Sequence, residues 1–221
     1  MDRKLFLSGG ISALVYAVVT AVVATYISSV EGPPTAGAKE VLQNIAGAPE
    51  ALRWFGLGGA MINLLLIPAA LALYFGLRDR EPSYAVLGLV AVLFMAMVVM
   101  IQSTANAAMD WKLGQAYATG SPAEKTAALL IFEAVGNWGL LTAPGFRAGF
   151  VGIGLFGLAM LGSTAFPRWL GWVGIVGGAL GLIGQASWFI EALVVVVFVS
   201  WLVVLGWVFL AGIYLLKVKP A

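Results

Sequence analysis

The chain has 221 residues, of which 62% are hydrophobic and only 10% charged, with a mean hydropathy of +1.00, a composition outside the range of soluble globular domains. A formal net charge of +2, with no basic run, excludes nucleic-acid binding, and cysteine and histidine are both absent. Disulfides, thiol nucleophiles, zinc-thiolate sites, histidine bases and imidazole ligands for haem are therefore excluded, and no cofactor is expected.

The first apolar stretch, residues 5–30, follows Asp2-Arg3-Lys4. It is longer than a signal-peptide core and ends without a small-x-small cleavage site, which predicts a retained helix. Further spans are expected at 54–77, 84–109, 146–166, 169–190 and 192–216. At ~1.5 Å per residue each covers the ~30 Å hydrocarbon layer. The predicted fold is all-α, a single polytopic membrane domain of six transmembrane helices plus one interfacial or re-entrant helix at 127–141. Two connections are long: 31–53, with Gly32-Pro33-Pro34, and 110–145. Pro68, inside the second span, should kink it.

Charge counting favours six crossings over seven. With the N-terminus inside, cytoplasmic segments carry seven Lys and Arg (Arg3, Lys4, Arg78, Arg80, Arg168, Lys217, Lys219) against five outside (Lys39, Arg53, Lys112, Lys125, Arg147). A seventh crossing would send Lys217 and Lys219 outside. The expected location is the cell membrane, with both termini cytoplasmic. Trp54, Trp111, Trp138, Trp169, Trp172 and Trp188 fall near span ends, where amphipathic rings settle. Trp201 and Trp207 lie inside the last span and are expected to pack against neighbours or lipid.

Glycines crowd the fourth and fifth spans at small-xxx-small spacing: Gly145 with Gly149, Gly174 with Gly178, and Gly177 with Gly181. That spacing aligns them on one face, so helices approach closely and van der Waals contact holds them. No Walker-type or dinucleotide fingerprint accompanies them.

Polar residues concentrate toward the outer side. Gln102, Asn106 and Asp110 recur every fourth residue and share a helical face. Asn63, Glu133, Asn137, Arg147, Gln185 and Glu191 fall at a similar predicted depth. Polar groups in hydrocarbon should face one another or water, so these nine residues form the candidate ligand-binding set of an outward-facing pocket, with Arg147 balanced by carboxylates. Such a set fits binding or transport of a small or amphipathic compound. It also fits interhelical amide bonds and interfacial ion pairs that carry no function. The partners implied are the bilayer, a small-molecule or lipid ligand, and a membrane-protein partner or second copy. The alternative reading is an accessory subunit whose glycine-rich faces pack on another membrane protein. An enzyme is not expected, since nucleophile and base pairs would lack His and Cys.

The segment 137–178, with Trp138, Pro144-Gly145-Phe146, Pro167-Arg168, Gly174 and Gly177-Gly178, resembles the prokaryotic membrane family known as domain of unknown function 4386. A His-Asp pair often precedes the tryptophan in that family, whereas Gly136 and Asn137 stand there in this chain. The resemblance implies the fold and topology and carries over no catalytic residue. Physically, Pro167 should end the preceding helix while Arg168 anchors a short cytoplasmic loop.

Overall fold

The computed structural model describes residues 3–32, 36–135, 139–188 and 190–218. They are almost entirely helical, with no strand among the described residues. The main helices are α1 (Arg3–Glu31), α2 (Ala38–Gly47), α3 (Pro49–Ile62), α4 (Leu66–Leu77), α5 (Pro82–Thr119), α6 (Pro122–Val135), α7 (Gly139–Gly162), α8 (Arg168–Gly184) and α9 (Val194–Lys217). Among the described residues six stretches are long and apolar enough to cross a bilayer: Arg3–Glu31, Pro49–Leu77, Pro82–Thr119, Pro144–Gly162, Arg168–Ser187 and Val194–Lys217. Six helices of crossing length agree with the sequence expectation, and the extra helix expected at 127–141 is present but runs over 122–135, residues 139–141 belonging to α7.

Local chemistry sets the helix ends. Gly32 adopts φ +96°, a left-handed turn in which its N–H donates to the Ser28 carbonyl at 3.1 Å and closes α1. The 3-10 turn Asn63–Leu65 separates α3 from α4 just ahead of Pro68. Pro68 has no N–H for the Leu64 carbonyl, and its ring crowds that carbonyl, so the backbone tightens there. Three expectations shift. The connections at 31–53 and 110–145 are largely helical, because nothing between Asp110 and Thr119 breaks α5, which runs 38 residues. Pro167 does not end α7, which stops at Gly162. It stands instead in extended conformation (φ −71°, ψ 140°) just before α8, where its missing N–H is not needed. Likewise Pro144-Gly145-Phe146, at the expected start of the 146–166 span, lies within α7.

The chain divides into two compact units: Met1–Val18 with Asn63–Val98 and Ala143–Ala221, and Val19–Ile62 with Val99–Thr142. Glycine builds the first. A Cβ on Gly157 would lie 2.6 Å from the Gly171 carbonyl oxygen, and one on Gly178 would lie 2.5 Å from that of Phe150, so α7 and α8 meet backbone to backbone. Gly174 and Gly177 put α9 side chains against α8 in the same way, through Trp207 and Val203. Gly9 abuts Ala72 and the Pro68 carbonyl, and Gly10 abuts Leu216 and the Gly212 carbonyl, which seats α1 between α4 and α9. Close approach multiplies dispersion contacts where no hydrophobic drive exists between helices. Large aliphatic side chains such as Val195 and Leu202 are left pointing outward, 68% and 73% exposed.

The second unit centres on Leu42, Leu113 and Ala128, which bring together α2, the end of α5 and α6. Helix α2 is amphipathic: Leu42 and Ile45 are fully buried while Gln43 and Asn44 are exposed. Ile45 packs over Gly114, where a Cβ would come within 2.8 Å of its Cγ2. Helix α6 opens with a capping box, in which the Ser121 N–H and hydroxyl both donate to Glu124 Oε2, at 2.7 and 2.8 Å.

Candidate functional site

The first unit contains a cleft between α1, α4, α5, α7 and α9, partly open, with an empty volume of about 690 Å³ including its mouth. The lining is apolar almost throughout, and aromatic rings shape it: Tyr16, Phe146, Phe150, Phe156, Trp201 and Trp207. Trp201 meets Phe146 and Phe150 edge to face, with ring centroids 5.3 and 6.3 Å away. Trp207 is buried, and its indole N–H donates to the Leu170 carbonyl at 3.0 Å. Both tryptophans thus pack against neighbours, as expected for interior positions of the last span. Glycine shapes the cleft too: at Gly149 a Cβ would run into the Met95 thioether, and both residues line the wall.

Among the described residues the lining of the cleft presents no carboxylate, amide, guanidinium or hydroxymethyl group, and its hydrogen-bonding side chains are Tyr16, Trp201 and Trp207. A wall of this kind holds hydrocarbon and rejects groups that need hydrogen-bond partners.

The residues singled out from sequence lie elsewhere. In the first unit, Asn63 is buried in the 3-10 turn before α4, Gln185 is buried in the 3-10 turn Gln185–Trp188 after α8, and Arg147 is exposed on α7. Glu191 begins the 3-10 turn Glu191–Leu193. Asn137 lies outside the described residues. In the second unit, Gln102 is buried, Asn106 and Asp110 are half-buried, and Glu133 is exposed on α6. Gln102, Asn106 and Asp110 share a face of α5, and of these Asp110 is close enough to Glu31, the last residue of α1, for their charges to interact. The buried oxygens Asn106 Oδ1 and Thr20 Oγ1 have no hydrogen-bond partner among the described residues.

Sequence reasoning missed a second polar group in this unit. Glu50 on α3 pairs with Arg53 at 3.5 Å and accepts from Trp111 Nε1 at 2.7 Å and Gln115 Nε2 at 3.2 Å, both on α5. The Arg53 guanidinium stacks over Trp111 at 4.2 Å and Trp54 at 5.1 Å from the ring centroids. The spacings Glu50 to Arg53 and Trp111 to Gln115 were visible as one-turn pairs, but their meeting across α3 and α5 was not. For the cleft no signal was available, since in so apolar a chain its lining residues look like every other span residue.

No curated protein and no solved structure matches the chain. The family model described as Domain of unknown function (DUF4386) matches residues 6–218. With an all-helical architecture, six helices of crossing length and a family match over nearly its whole length, the chain belongs to the DUF4386 family of membrane-helical proteins.

Proposed function

We propose that the protein is a non-enzymatic binding protein of the cell membrane that takes a small apolar or amphipathic compound into the cleft of its first unit. The observation that carries this reading is the cleft itself, which is partly open and walled by aromatic and aliphatic side chains, as small-molecule sites are. The absence of histidine and cysteine supports a binding role over catalysis. The excess of Lys and Arg on one set of connections supports cytoplasmic termini. The test is native mass spectrometry of the full chain released from mild detergent. A retained hydrophobic adduct that Leu205→Trp diminishes supports the reading, and a ligand-free spectrum from both proteins removes it.

For movement of the compound, rather than binding alone, we propose a role for the polar residues of each unit taken separately: Asn63, Arg147, Gln185 and Glu191 in the first, and Gln102, Asn106, Asp110 and Glu133 in the second. Glu133→Gln or Arg147→Ala, in chains that still insert, then lowers uptake of the bound compound. Unaltered uptake in both leaves a binder without transport. The accessory-subunit alternative relied on glycine-rich faces meeting another protein. Gly157, Gly171, Gly174, Gly177, Gly178 and Gly181 are instead occupied by neighbours in the same chain, so these glycines lend it no support.

A further inference from the structure

We infer that the cleft accommodates one linear hydrocarbon chain, the acyl tail of a bilayer lipid, lying lengthwise along α9; the inference rests on reading the cleft as a binding site. Its shape is the first argument. On α9 the lining runs from Trp201 to Leu215, about 21 Å at the helical rise, and on α7 from Phe146 to Phe156, about 15 Å. A groove extended along the helix axes suits a chain better than a compact ring.

Polarity is the second. Trp207 has its N–H committed to the Leu170 carbonyl, and apart from the side chains of Tyr16 and Trp201 the surrounding wall offers no hydrogen-bonding side chain among the described residues. An ester, carboxylate or sugar drawn deep into the groove would lose its water without replacement, so only the tail enters and the polar head stays outside. Supply is the third argument. The helices around the groove are of membrane-crossing length and present exposed Val195 and Leu202 outward, so acyl tails are the solvent of this unit. At that abundance mass action fills the site even at weak affinity. Gly149 is what keeps the groove open beside Met95, because a side chain there would collide with the thioether.

The experiment uses the full chain in nanodiscs doped with a phospholipid bearing a diazirine near the end of one acyl tail. Light-induced labels are then mapped by peptide mass spectrometry. Labels are expected on the groove residues Phe150, Leu205 and Val208 as well as on the outward-facing Val195 and Leu202. Met95→Trp and Leu205→Trp, which fill the groove from two different helices, should lower the inner labels several-fold and leave the outward labels unchanged. The wild-type pattern alone is decisive if either variant fails to fold. Labels confined to outward-facing residues overturn the inference. Two parallel probes separate its failure from that of the binding reading. Inner labelling by a diazirine fatty acid but not by the phospholipid overturns the bilayer-lipid assignment. Inner labelling by a small aryl diazirine but by neither chain probe overturns the linear chain and leaves a small-molecule site standing. Silence of all three probes inside the groove removes both.

Discussion

Replacing Gly178 with alanine, beside the control Gly154→Ala, tests whether backbone contact between α7 and α8 builds the first unit. Both glycines are helical, so alanine brings each the same intrinsic gain of roughly 1 kcal/mol, and the difference between the variants isolates the steric cost. At Gly178 the new Cβ would stand 2.5 Å from the Phe150 carbonyl oxygen and 3.1 Å from the Gly154 amide nitrogen, where ordinary contact begins at 3.4 Å. Those atoms are backbone and cannot rotate away, so the helices must separate, losing dispersion contacts along the seam. At Gly154 nothing lies within 4 Å of the added methyl. Overpacking of a tight contact costs about 1–3 kcal/mol, so Gly178→Ala should be less stable than Gly154→Ala by that amount. Reversible unfolding in mixed micelles of mild detergent and dodecyl sulfate, followed by circular dichroism, measures the difference. Equal stabilities for the two variants would refute the argument that α7 and α8 are held by glycine-permitted approach.

Other outcomes follow from single contacts. Trp207→Phe keeps one aromatic ring but loses the pyrrole half of a buried indole and its 3.0 Å bond to the Leu170 carbonyl, and should cost more than about 1 kcal/mol in the same unfolding assay, while Trp201→Phe, half-buried and still edge to face with Phe146, should cost less. Glu50→Gln removes the charge facing Arg53 but keeps an acceptor for Trp111, so its cost should stay under about 1 kcal/mol and shrink with added salt; Glu50→Ala loses both contacts and should cost more. The exposed Glu124 carboxyl is held below its ordinary range by the Ser121 N–H and then the Ser121 hydroxyl. Because the folded-state pKa is the lower one, this cap contributes stability above the unfolded value and loses it as pH falls through the folded value. Acidification should therefore speed amide exchange in the first turn of α6, and Ser121→Ala should move the Glu124 titration upward; an unmoved titration contradicts the capping geometry.

Much of the architecture could be read from residue order, and the reason is physical. A stretch that must satisfy its backbone hydrogen bonds in hydrocarbon has to be a helix, so 62% hydrophobic content in six long blocks specifies six helices with little left to choose. Glycine spacing likewise announced close packing, since few other residues let backbones touch. Helix ends were harder. Pro167 reads equally as a terminator of α7 or an opener of α8, and only the extended backbone at that residue shows that it opens α8. The last three turns of α5 were taken for a connection because Asp110, Lys112 and Gln115 break the apolar pattern, yet α2 and α6 cover that end through Leu42, Leu113 and Ala128.

The candidate site divides along the same line. Polar residues stand out against an apolar background, so Gln102, Asn106 and Asp110 were visible by contrast and by their four-residue spacing. The cleft was not, because Met95, Phe150 and Leu205 have the same chemistry as the outward-facing Val195 and Leu202, and nothing in their order tells wall from lipid surface. Sequence alone determined that this is a membrane-helical protein without thiol or imidazole chemistry, because those properties depend only on which residues are present and how long the apolar blocks run. Tertiary structure decided that α8 binds α7 and α9 through glycine faces, that Glu50 gathers Arg53, Trp111 and Gln115, and that an elongated void remains beside Trp201 and Trp207. Packing between helices depends on which faces meet across residues distant in the chain, and periodicity along one helix carries no information about its neighbour.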